Sequence, residues 1–197
     1  MKRSFIIAGI ILILVIVIYR FFSGTYNDMV QREEKVTSQW SQVENVYQRR
    51  LDLIPNLVAT VKGAADFEKS TLTAVIEARA NATQVKVDPT NLSADQLNKF
   101  QQSQGELSSA LGRLMVVVEK YPELKANQNF LELQSQLEGT ENRIAVERQK
   151  FNDTVQDYNK YVRSFPQNML AGMYGFQQKP YFTADAKASK APAIDFK

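Results

Sequence analysis

The chain has 197 residues and a mass of 22.4 kDa, with 24 basic and 21 acidic residues and a formal charge of +3. That balance is too small and too evenly spread to argue for nucleic acid, and no nucleic-acid partner is expected. Cys and His are both absent, which excludes disulfides, thiolate zinc sites, a cysteine nucleophile, a lipidated N-terminal Cys, and the commonest general base and metal ligand.

The first element is a membrane anchor. No charge falls between Ser4 and Tyr19, where Ile, Leu and Val dominate. From Phe5 to Phe22 a helix spans roughly 27 Å, close to the ~30 Å hydrocarbon core. Arg20 sits near the end, where it can snorkel, and Tyr19, Phe21 and Phe22 suit the interface. A cleaved signal peptide is the competing reading, but a cut after Ser23 or Gly24 leaves Phe21 or Phe22 where a small residue belongs. The segment is therefore expected to stay, holding the chain in the bilayer through residues 5–22. Lys2 and Arg3 are nearly balanced by Arg20, Arg32 and Lys35. A short basic start before an apolar run is how a signal-anchor begins, so the following domain is expected to be extracytoplasmic.

Three amphipathic stretches follow. Met29, Glu33, Val36, Trp40, Val43, Tyr47, Arg50, Ile54, Leu57 and Val61 advance by alternating steps of four and three, and eight of these ten are apolar. Pro55 removes the bond to the carbonyl of Leu51 and should kink or break the helix. The rhythm continues to Val75 and Ala78, which predicts one long kinked helix over residues 25–82. Residues 83–92 read as a loop around Asp88-Pro89. Ser93 with Gln96 forms a capping box, and Leu92 with Leu97 a hydrophobic staple. The second stripe is Leu97, Phe100, Gln104, Leu107, Leu111, Leu114 and Val118, with Tyr121-Pro122 ending it. The third runs Phe130, Leu133, Leu137, Thr140, Ile144, Glu147, Phe151, Thr154, Tyr158, Tyr161 and Phe165 to Pro166.

These patterns predict an all-α protein: a transmembrane helix followed by an antiparallel three-helix bundle, four-helical if the chain breaks near Pro55 or Gly63. An extended parallel coiled coil fits Pro55 and the turns less well. The expected parts are an anchor at 1–24, a bundle at 25–166, and an apolar C-terminal segment with an Ala/Lys-rich tail at 167–197. Met169, Leu170, Met173, Tyr174, Phe176, Tyr181 and Phe182 crowd together there with almost no charge. Such a segment covers a bundle end, touches the membrane surface or meets another subunit. Residues 183–193 read as flexible by composition, and Ile194 and Phe196 are candidates for docking on a neighbouring subunit.

Three charges stand in the stripes. Glu33 and Glu147 are expected to pair with Arg50 or Arg148, or to lie near the bundle ends; a carboxylate metal site using Glu33, Asp52 and Glu147 is the sharper but weaker reading. Arg49 and Arg50 beside Asp52 read as a local salt-bridge set, and less readily, with Lys62, as a phosphate or lipid-headgroup site. Phe151, Tyr158, Tyr161 and Phe165 read as core rather than as a base-stacking platform.

The string RRLDLIPNLVATVKG from Arg49 to Gly63, with Tyr26-Asn27 and Trp40 before it and Ala78-Arg79 after it, closely resembles the LemA family. Pro122-Glu123-Leu124-Lys125-Ala126, Phe130-Leu131-x-Leu133, Glu141-Asn142-x-Ile144-x-x-x-Arg148-x-x-Phe151-Asn152, Gly175-Phe176 and Pro192-x-Ile194-x-Phe196 extend the match in order along the chain. Phe67 stands where His is expected before Glu, and Phe151 where Tyr is usual before Asn. The resemblance implies a single-pass protein of the bacterial cytoplasmic membrane with a helical-bundle domain, no catalytic residue to carry over, and no cofactor. The expected function is a non-enzymatic scaffold that self-assembles as a homo-oligomer or presents a helical surface, through Arg49, Arg50, Asp52, Met173, Tyr174, Phe176, Ile194 or Phe196, to an envelope protein. A lipid- or phosphate-binding module is the alternative, and a carboxylate metal hydrolase the weakest.

Overall fold

The apolar run and the first amphipathic stripe are one helix. In the computed structural model, which describes residues 2–63 and 67–183, α1 runs from Lys2 to Lys62. Its large apolar side chains from Phe5 to Tyr19 are all exposed, and this is the one stretch among the described residues long and apolar enough to cross a membrane. From Thr25 onward the same helix buries one face: Met29, Val36, Trp40, Val43, Tyr47, Arg50, Ile54, Leu57 and Val61. Five more helices follow: α2 (Lys69–Gln84), α3 (Ala94–Val118), α4 (Pro122–Lys125), α5 (Gln128–Arg163) and α6 (Gln167–Tyr174). Among the described residues there is no strand, and the all-α expectation holds.

The single helix expected over 25–82 is two. Gly63 closes α1 by donating to the Thr60 carbonyl at 3.2 Å, and residues 67–68 lead into α2. Periodicity could not reveal this break. Leu72, Val75, Ala78 and Ala82 of α2 join the same cluster as Ile54, Leu57 and Val61 of α1, so the apolar rhythm survives the change of direction.

Pro55, by contrast, lies inside α1 without ending it. The carbonyl of Leu51, which loses its helical donor to the proline ring, accepts from Nε of Arg79 at 2.9 Å. A side chain from α2 thus supplies the missing N–H.

The capping box at Ser93 forms as expected: Gln96 N–H donates to Ser93 Oγ and Ser93 N–H to Gln96 Oε1, each at 3.2 Å. Every residue of the α3 stripe is buried. That helix ends at Val118, ahead of the expected stop, and Pro122 starts the short α4, where a proline needs no donor. The Asn127 side chain then caps α5, accepting from Asn129 and Phe130 N–H. Residues 167–174, expected only as an apolar segment, form α6. Gly175 closes it at φ +80, a left-handed conformation suited to glycine.

Helices α1 and α5 pack antiparallel along their length, as the pairs Asp28–Tyr161, Gln39–Glu147 and Arg50–Glu141 record. Helix α2 lies against α3, and α6 against α1 and α5. Two apolar clusters result. The one remote from the apolar end of α1 is mainly aliphatic, built on Leu51–Val61 of α1, on α2, and on Leu107–Val118 of α3, with Phe67 and Phe130 as its buried rings. The nearer one is aromatic: Trp40, Tyr47, Phe100, Phe151, Tyr158 and Phe182.

Candidate functional site

A polar layer separates the two clusters. On α1 the aromatic cluster stops at Tyr47 and the aliphatic one resumes at Leu51, on α3 the limits are Phe100 and Leu107, and on α5 Ile144 and Leu137. Between them sit Arg50, Ser103, Gln104 and Thr140, all buried. Arg50 is only 2% exposed. Its Nη1 donates to Ser108 Oγ and to Glu141 Oε2, both at 2.8 Å, and its Nη2 donates to Gln104 Oε1 at 2.6 Å. The Tyr47 ring lies 5.2 Å from the guanidinium carbon. Buried in this way, the Tyr47 phenol titrates above its ordinary 10.0, although Arg148 and Arg50 pull the other way. Glu141 is 57% exposed, so the ion pair has one dry and one wet partner. A one-heptad slip of α5 would leave Arg50 without its carboxylate, at a desolvation cost of several kcal/mol, so the layer holds the helices in register.

Outside this layer, between α3 and α5, a cleft of about 320 Å³ is lined by Arg50, Gln104, Ser108, Glu141 and Arg148 among others. The chain after α6 runs to its edge. Residues 175–183 form an extended strap against the membrane-proximal half, and α5 holds it by side chains that imitate a neighbouring strand. Asn159 Nδ2 donates to the Lys179 carbonyl at 2.8 Å while Lys179 N–H donates to Asn159 Oδ1 at 2.9 Å. Asn152 does the same for Phe182, at 3.1 and 2.9 Å. The spacing explains the fit: seven residues on a helix rise ~10.5 Å, and three extended residues cover about the same. Tyr158 Oη donates to the Gln177 carbonyl, and Gln101 and Arg148 donate to that of Thr183. Burial foremost, with Glu33 adding to it, pushes the Tyr158 phenol far above its usual range. Phe182 stacks on Trp40 with the rings 5.9 Å apart and inclined by 12°.

Several sequence expectations change here. The partner of Arg50 is Glu141, not Glu33 or Glu147. Glu33 pairs with Lys179 Nζ at 2.7 Å. Glu147 pairs with Lys150 and accepts from Gln39 Nε2, which hold its carboxyl below the ordinary carboxylate value. Arg148 lies over the Phe182 ring instead of meeting a carboxylate. Asp52 is exposed and accepts from Gln48. Glu33, Asp52 and Glu147 are therefore each engaged separately, and no acidic group of metal-binding size occurs among the described residues.

Arg49 is exposed while Arg50 points inward, so the two do not make a fork for a phosphate, and Lys62 lies three turns further along α1. Of the C-terminal candidates, Met173 and Tyr174 are exposed and Phe176 is half-buried on the aromatic cluster. Ile194 and Phe196 lie outside the described residues. Sequence reasoning missed Glu141, Arg79, Asn152, Asn159 and Lys179 as structural partners. The one available signal was a pair of asparagines a heptad apart on α5, and only the strap gives that spacing a meaning.

The model of the LemA family matches residues 39–196. Magnetosome proteins MamQ 1 and MamQ 2 of Paramagnetospirillum magneticum are each 29% identical over 186 residues, covering 86% of this chain and 68% of theirs. Protein LemA of Metamycoplasma hominis is 22% identical over 155 residues, covering 79% of this chain and 67% of its own.

Proposed function

We propose, from the premise that the chain belongs to the LemA family, that it is a non-enzymatic scaffold anchored in the membrane by residues 5–22. The observation that carries this reading is the continuity of α1: one helix enters as an exposed apolar rod and leaves as the central member of the bundle. A helix without a hinge fixes the bundle's height and direction relative to the bilayer. That suits a protein whose work is to hold a surface in place. The scaffold either assembles with copies of itself or presents its exposed helix faces to another envelope protein, and the bundle lies on the extracytoplasmic side. The buried arginine layer and the strap contribute rigidity to that surface.

The test is the mass of the full chain extracted in mild detergent, with co-purifying chains identified. One large homogeneous species of this chain alone establishes self-assembly, and a stoichiometric second protein establishes an adaptor. A monomer without companions, whose vesicles show a turnover of substrate abolished by Glu141→Gln, overturns the scaffold reading.

A further inference from the structure

The third stripe leaves an unexplained member. Phe165 continues the core rhythm of α5, yet it is 79% exposed, and Met169 and Met173 on α6 are 64% and 72% exposed. Residues 164–174 carry no charge. Leu170 and Ala171 of the same helix are buried, so α6 is amphipathic with its second apolar face uncovered.

The register between α1 and α5 says what lies opposite that face. Tyr161 donates to Asp28 at 3.1 Å and lies under Arg32, which sets it level with residues 28–32 of α1. Helix α5 runs antiparallel for two more residues, to Arg163, level with about residues 26–30, and Phe165 follows just past its end. Tyr26 touches the rings of Tyr174 and Phe176 at 5.0 and 5.8 Å, which ties α6 to the same height. The apolar run ends at Phe22. At ~1.5 Å per residue the exposed face therefore sits roughly 3–9 Å beyond the hydrocarbon boundary, within the headgroup layer. Exposed Lys160 and Arg163, in the last turn of α5, flank it on the side where anionic headgroups would lie.

We propose that Phe165, Met169 and Met173 form an interfacial foot that inserts into the lipid surface beside the span, with Lys160 and Arg163 on the headgroups. The occupant of this apolar face is the bilayer itself, because the unbroken helix brings the bilayer to it. Two attachments, a span and a foot, then fix the bundle against rotation as well as height. The inference rests on the reading of residues 5–22 as a span.

The test places single tryptophans in the full chain, reconstituted in vesicles of phosphatidylcholine and phosphatidylglycerol with or without brominated acyl chains. The native Trp40 lies about 27 Å along α1 from Phe22 and supplies the unquenched background. Phe165→Trp, Met169→Trp and Met173→Trp should each lose part of the added emission to brominated lipid, less than Leu12→Trp loses, as for rings reaching from the headgroup layer to the acyl boundary. Val116→Trp, exposed on α3 in the distal half, should lose none. Leu12→Trp reports the span separately. Quenching at residue 12 but at none of 165, 169 and 173 overturns the foot and leaves the anchor standing, whereas no quenching at residue 12 overturns both. Emission at 165 that is shifted to the blue, unquenched by bromine and dependent on the protein-to-lipid ratio gives the face to a second copy and overturns the foot.

Discussion

The two halves of the bundle solve the same packing problem with different materials. The distal half surrounds Leu57, Val61, Leu107 and Leu114 with helices, whose backbones bond largely within themselves, the Leu51 carbonyl opposite Pro55 being answered by Arg79 instead. The membrane-proximal half lacks α2 and fills the vacant side with an extended strap. A strap has no internal hydrogen bonds, and its buried N–H and C=O groups need partners from elsewhere. Asn152, Asn159, Tyr158 and Gln101 provide them. The aromatic character of this half meets the strap as well: the rings of Trp40 on α1 and Phe151 on α5 lie 5.9 and 5.3 Å from that of Phe182 on the strap. A helix on a helix needs apolar side chains at the right period; a strap on a helix also needs amides at the right height.

The contrast can be broken most forcefully at Trp40. Trp40→Ala should cost about 3–5 kcal/mol in urea unfolding of the detergent-solubilised protein. Hydrogen exchange should show the loss concentrated in α5 beyond Ile144 and in the strap, and equal loss in α2 would mean that the halves are one cooperative unit. Arg79→Ala is the distal counterpart. It strands the Leu51 carbonyl, at a cost of about 2 kcal/mol for a charge-assisted bond, and exchange should quicken around Pro55 before Tyr47. Arg79→Lys should recover only part of this, since one ammonium lacks the guanidinium's geometry.

A smaller loss is expected for the strap clamps. Asn159→Ala and Asn152→Ala each delete two neutral bonds, worth about 1–2 kcal/mol together. Chymotrypsin should cut at Tyr181 or Phe182 sooner in either variant, and the double variant should cost less than the sum because both clamps hold one segment. Unchanged cleavage would mean that Phe182 alone retains the strap. Ser93→Ala is the mildest, about 1 kcal/mol for a lost capping box, and it should leave the strap's protease resistance unaltered.

Helix positions and their buried faces were largely legible, because one turn of helix repeats every 3.6 residues wherever it is. The α3 stripe is buried in full, and the Ser93 box is where the local pattern puts it. The break at Gly63 was not legible, since α1 and α2 feed the same cluster. Nor was α6 distinguishable from any short apolar run, nor the partner of Arg50 recoverable from a stripe that offered two nearer-looking carboxylates. Residues from Met29 to Val61 and from Leu97 to Val118 carry their fate in their spacing, because helix amphipathicity is a local property. Past Phe151, by contrast, the buried face of α5 shifts to Val155, Asn159 and Val162 and leaves the expected Tyr161 half-buried and Phe165 exposed. That Leu51 is answered by Arg79, Arg50 by Glu141, Glu33 by Lys179, and the 175–183 backbone by two asparagines was decided only by the tertiary structure. Each of those pairings joins groups far apart in the chain whose need for one another arises only once folding has removed their water.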